Sequence, residues 1–218
     1  MIQGMQFKNL EKRAFRSTFE DGLWDIYLGG LLFTMGMGPG LVVFGLSNQL
    51  IMVVLIVATL LLMTGFFLSK RMITIPRLGL VKVGKERKMK LRKLTLLFTI
   101  SFLVGVVFLL ETGLGFNRLL HFMDLIPVPV LAFSVMSVLC FGFAAYFMDY
   151  PLFLLYGLLY AIPFPLAILL NNLFVIRYAF LITYPAASVP MLCIGGVHLY
   201  QFMNRYSSSE SEVQNDSP

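Results

Sequence analysis

Charge is scarce in this sequence: Asp, Glu, Lys and Arg together make up only 13% of its 218 residues, about half the share usual in a water-soluble domain. That scarcity argues against water as the main solvent of the fold. Tryptophan occurs once, and histidine and cysteine twice each, so a Cys/His metal centre lacks both ligands and spacing. Cys140 and Cys193 each fall inside an apolar run and are expected to be small buried apolar residues rather than a disulfide. No His-Glu-x-x-His, Gly-x-Ser-x-Gly or Gly-x-x-x-x-Gly-Lys pattern is found, so the signatures of a zinc protease, a serine hydrolase and a phosphate-binding loop are missing. No cofactor or metal site is expected, and catalysis is the least favoured reading.

What the chain does have is long apolar runs. Apolar residues make up 58% of it, with 21 Phe and 13 Met. A helix needs about 20 mostly apolar residues to cross a hydrocarbon layer of about 30 Å. Six segments qualify: Ile26 to Leu46, Leu50 to Leu68, Leu94 to Leu110, Val128 to Met148, Leu152 to Leu170 and Tyr178 to Met203. None contains Asp, Glu, Lys or Arg, as expected where a charge at the bilayer centre costs at least about 2.5 kcal/mol. The first run is too long for a cleavable signal and lacks a cleavage site after it. The expected fold is an all-α polytopic transmembrane bundle of about six spans, set in a cell membrane.

Orientation follows from the cations, because Lys and Arg are retained on the cytoplasmic side during insertion. Lys8, Lys12, Arg13 and Arg16 precede the first span, ten cations lie between Lys70 and Lys93, and Arg205 follows the last span. Only Arg118 and Arg177 are left for the other side, a split of 15 to 2. Both termini are therefore expected in the cytoplasm. Within residues 1–22, Phe7, Leu10, Ala14 and Phe15 interleave with the cations as in an amphipathic arm at the headgroup layer. Ser17 and Thr18, each three residues ahead of an acid, mark a helix start. The spans occupy residues 23–206, and the acidic stretch 207–218 reads as a disordered tail.

The basic loop divides in two. Met72 to Ile75 and Leu80 to Val83 are β-prone and flank Pro76-Arg77-Leu78-Gly79, which predicts a small β-hairpin. Beyond it, Lys82, Lys85, Arg87, Lys88, Lys90, Arg92 and Lys93 form a cationic lead-in to the third span. These seven are candidate contacts to anionic lipid headgroups, at about 1 kcal/mol per cation near the surface. Membrane lipids are thus the expected partners, with a second copy or another membrane protein possible in addition. Nucleic acid is not expected.

Two further groups of residues are candidates for function. Gly36, Pro39 and Gly40 in the first span, Pro163 and Pro165 in the fifth, and Pro185 and Pro190 in the sixth interrupt their helices. Kinks there are expected, either as ordinary packing or, as in secondary transporters, to expose backbone to a midplane solute. Glu20, Asp21 and Asp25 at the mouth of the first span form an acidic group that the basic loop can meet. His198, the one ionisable residue inside the six spans, is expected to be a neutral imidazole bonding at the interface.

The stretches Phe19-Glu20-Asp21-Gly22-Leu23-Trp24-Asp25-Ile26-Tyr27-Leu28-Gly29 and Ile75-Pro76-Arg77-Leu78-Gly79-Leu80-Val81-Lys82-Val83 resemble a group of small prokaryotic multi-span membrane proteins of unassigned function. The resemblance covers the first two spans and the loop, and implies a prokaryotic plasma membrane but no activity or cofactor. It suggests that the two stretches belong together, with the acids before and after Trp24 meeting Arg77 as a polar lock on the inner face. The expected function is a non-catalytic assembly or accessory component, or a small permease. A secondary transporter, an anionic-lipid scaffold and an intramembrane enzyme are the alternatives. A peptide of the cationic lead-in is expected to bind anionic vesicles with an affinity that falls steeply as salt is added, as measured by co-sedimentation.

Overall fold

The computed structural model describes residues 19–78, 89, 92–93, 95–96, 99, 128–176 and 178–205, and all regular structure among them is helical. Helix α1 spans Leu23–Val43 and α2 spans Asn48–Ser69. Helix α2 runs on through a π-helical turn, Lys70–Thr74, into a last helical turn, Ile75–Leu78. Then come α3 (Val128–Met148), α4 (Leu152–Ala161), α5 (Pro163–Phe174) and α6 (Ala179–Arg205). Five helical stretches are long and apolar enough to cross a membrane: α1, α2 with its continuation, α3, α4 joined to α5, and α6. The third expected span, Leu94 to Leu110, lies almost wholly outside the described residues, although Thr95, Leu96 and Thr99 are helical. The amphipathic arm up to Thr18 and the tail from Tyr206 also lie outside them.

The expected β-hairpin is corrected in its first half: residues 70–78 are helical, and the second half, Leu80 to Val83, lies outside the described residues. Two physical reasons favour helix here over the β-propensity of Ile73 and Ile75. Lys70 and Thr74 are four residues apart, so a helical turn puts both on one face, where both bond Asp21. The wide π turn, in which the Ile75 N–H reaches back to the Lys70 carbonyl, also lets the chain enter Pro76 at the start of a new helical turn, where a missing N–H costs little.

Helix α1 packs antiparallel along α6 and, on another side, along α2, while α3 packs on α4 and α5 on α6. The α1–α6 seam is built on small residues. Gly22, in the left-handed region at φ 75°, lies against the backbone of Gly195 and Leu199, and any side chain there would collide with the Gly195 carbonyl. A Cβ on Gly195 would stand 2.8 Å from the Ile26 nitrogen. Further along, Gly29 faces Met191 and Leu192, Gly36 faces Tyr184 and Gly40 faces Leu181. Lipid tails are as apolar as leucine, so close approach and dispersion hold such a seam rather than expulsion of water.

The prolines act differently from one another. Pro163 and Pro165 divide the fifth expected span into α4 and α5, as the sequence suggested, whereas α1 continues past Pro39 to Val43 and α6 runs unbroken through Pro185 and Pro190. Pro165 has no N–H to give to the Ala161 carbonyl one turn back, and the Ser134 hydroxyl of α3 donates to that carbonyl instead, at 2.7 Å. The break is thus satisfied from the neighbouring helix. Beside it a row of rings fills the core, with Tyr150, Phe153, Tyr156 and Tyr160 from the α3–α4 turn and α4 packed near Phe19, Leu32 and Met191.

If the seam depends on backbone contact, Gly22→Ala and Gly195→Ala should each destabilise the protein by about 1–3 kcal/mol. Gly65→Ala and Gly196→Ala, which have open space around the new methyl, should be neutral or mildly stabilising. Unfolding in mixed micelles checks the ranking.

Candidate functional site: a buried polar cluster at one end of the bundle

The turn before α1 carries Glu20 and Asp21, and the first turn of α1 carries Asp25. Asp21 and Asp25 are both fully buried, which demands partners for each. The Asp21 carboxylate accepts from Lys70 Nζ at 2.5 Å, from the Thr74 hydroxyl at 2.6 Å and from the Leu23 N–H at 3.2 Å. Lys70 also lies over the ring of Phe66, 5.8 Å from its centroid. Asp21 thereby joins the entry of α1 to the π turn at the end of α2, a position where such turns often serve a purpose.

Asp25 is met from the other side. Its Oδ2 lies 2.8 Å from His198 Nδ1 on α6, and the Tyr150 hydroxyl stands 3.4 Å from both carboxylate oxygens. The Tyr156 hydroxyl, also buried, faces the same carboxylate but outside hydrogen-bonding geometry. Tyr150 reaches this place because α3 ends in a left-handed residue, Asp149 at φ 55°, while the Tyr150 N–H bonds the Ala145 carbonyl. That closing turn aims the next side chain inward, and Pro151 then leads into α4. Burial, and next the Asp25 charge, push the Tyr150 hydroxyl well above its ordinary pKa. It stays protonated and acts as a donor.

The inner-face residues expected from the sequence are thus distributed. Asp21 meets the basic segment through Lys70 and Thr74, whereas Nη1 of Arg77, the expected partner, is buried and has no hydrogen bond among the described residues. Asp25 turns to His198 and Tyr150 rather than to the loop, and Glu20 is half-buried on the turn. His198 therefore bonds a buried carboxylate and not simply the interface. Cys193 is another correction: Cys140 is buried as expected, but Cys193 is exposed on α6. Of the candidate lipid contacts, Arg92 and Lys93 are exposed on helical backbone. Lys82, Lys85, Arg87, Lys88 and Lys90 lie outside the described residues.

Sequence reasoning missed the partners Lys70, Thr74, Tyr150 and His198. One signal was available: Asp25 is three residues past Gly22, and His198 three past Gly195. Where two helices touch at glycines, residues three positions on lie near the contact on each side. Chemically, the cluster can hold and pass protons. No group of three or more His, Cys, Asp or Glu side chains suited to a metal ion occurs among the described residues. No family model, curated protein or solved structure matches this chain.

Removing one partner of a buried ion pair strands the other charge, at a cost of about 3–5 kcal/mol. Lys70→Met is therefore expected to destabilise strongly, the further change Asp21→Leu to recover most of the loss, and Thr74→Ala to cost about 1 kcal/mol. Unfolding of the four proteins in one detergent gives the comparison.

Proposed function

We propose that this chain is a non-catalytic membrane component, an assembly or accessory protein, whose working end carries the Asp21–Lys70 and Asp25–His198 pairs. The observation behind this reading is that four of the places where a solute path would have to open are filled. Gly36 is covered by Tyr184 and Gly40 by Leu181, Pro163 is buried, and Ser134 takes up the carbonyl freed by Pro165. A transporter with a midplane site at Gly36, Pro39, Gly40, Pro163, Pro165, Pro185 and Pro190 needs those backbone groups turned toward water.

The 15 to 2 division of cations supports placing the working end on the cytoplasmic side of the membrane. In that orientation the segment from Lys82 to Lys93 would lie along anionic headgroups and leave the neighbouring end of the bundle free to meet a partner protein.

Cysteines placed singly at Thr183, Ala187 and Ser188, all buried on α6, are the test, in a background without Cys140 and Cys193. In intact membranes they are expected to resist a water-soluble maleimide, while Lys93→Cys reacts. Labelling at the α6 positions would instead establish an aqueous path and favour transport. Migration of the native protein solely as a homomer after mild extraction would count against an assembly role.

A further inference from the structure

Two buried acids within one turn of each other are satisfied in different ways. Asp21 accepts from an ammonium, a hydroxyl and a backbone N–H, so its charge and its lone pairs are both answered. Asp25 has no cation of that kind. Its shortest bond is to an imidazole, its bonds to Tyr150 are long, and the nearby Tyr156 hydroxyl has no hydrogen-bond partner although Tyr156 is completely buried. An ionised carboxylate only accepts hydrogen bonds. Opposite ionised Asp25, therefore, the imidazole must carry its hydrogen on Nδ1, which leaves Nε2 as a free basic position on the same ring. The His198 side chain is 26% exposed, whereas that of Asp25 is fully buried. Access from outside is through the imidazole.

We propose that Asp25 and His198 form a proton-binding site that bridges the first and last spans, with the proton entering at His198 Nε2 and Asp25 as the counter-charge. The groups facing the pair come from every neighbouring element. Tyr150, from the α3–α4 turn, and Tyr156, from α4, are neutral phenols. Lys70, on the continuation of α2, lies within electrostatic range of Asp25 but is bonded to Asp21. Glu20 and Asp21, on the entry turn, add negative potential to the same corner. Uptake of one proton converts a carboxylate beside a neutral ring into a carboxylate–imidazolium pair, and uptake of a second, on Asp25 itself, removes that pair. The α1–α6 contact at this end is therefore tightened by the first proton and loosened by the second, and the glycine seam beyond it, which holds no carboxylate, imidazole or ammonium, is unaffected. The site does not depend on an assembly role: a chain with no partner would still bind the proton.

The single tryptophan is well placed to report on it. Trp24 adjoins Asp25 in sequence and packs on Phe19 and Phe66, with ring centroids 5.9 and 4.8 Å away. In the full-length protein in nanodiscs, Trp24 emission is expected to show a transition as the pH is lowered, which His198→Gln should abolish and Asp25→Asn, by removing the counter-charge, should move to lower pH. A second measurement leaves the site intact: His121→Gln makes His198 the only imidazole of the chain, and its 15N ring signals should move from the neutral to the charged pattern over the same interval as the emission change. Ring signals that stay constant across that interval would overturn the proposal even if the site variants fail to fold. So would an emission transition that survives in a folded His198→Gln protein, or one whose midpoint is unmoved in a folded Asp25→Asn protein.

Discussion

The first and last helices touch backbone to backbone where Gly22 meets Gly195. Association of helices in lipid gains little from expelling water, so it rests on surfaces that can come close enough for dispersion and for short polar bonds. Gly22, Gly29, Gly36 and Gly40 give α1 such a surface, and Met191, Leu192, Tyr184 and Leu181 of α6 fill it. Once the seam closes in antiparallel register, Asp25 and His198 are brought within 2.8 Å. Were this crossing wider by one side chain, the carboxylate would not have the imidazole within reach.

The same end of the bundle shows how a membrane protein carries charge at tolerable cost. Two carboxylates are fully buried there, and each would be prohibitively expensive alone. Asp21 is neutralised by an ammonium and held by a threonine and the chain itself, an arrangement suited to a permanent joint between α1 and α2. Asp25 shares an imidazole, a group that can take up a proton, and the hydroxyl of Tyr150, which only donates a hydrogen bond. Neighbouring acids one turn apart are thus left with different chemistry by their surroundings alone.

Much of the architecture could be read along the chain. The apolar runs located the helices, and Val128 to Met148 coincides with α3. The paired prolines 163 and 165 marked the division of α4 from α5 because proline removes a donor whatever the context. The stretch from Lys70 to Leu78 misled in the direction of strand: Ile73 and Ile75 favour pleated structure, but Asp21, about fifty residues away, rewards a turn that places Lys70 and Thr74 side by side. Pro185 and Pro190 were equally ambiguous, since a long helix packed on both α1 and α5 can run through proline when its neighbours hold the chain in place.

The candidate site was half legible. The acids ahead of the first span stood out because charge is so rare in this chain, and His198 stood out as the lone ionisable residue in a span. Composition and spacing determined the membrane setting, the helices and the charge at their ends, because each of these follows from the cost of placing a given side chain in hydrocarbon. Only the tertiary structure decided that Asp21 belongs with Lys70 and Asp25 with His198 and Tyr150. These pairings span 49, 173 and 125 residues of chain and are set by which helices touch, in which direction and how closely, and no local pattern of residues encodes that.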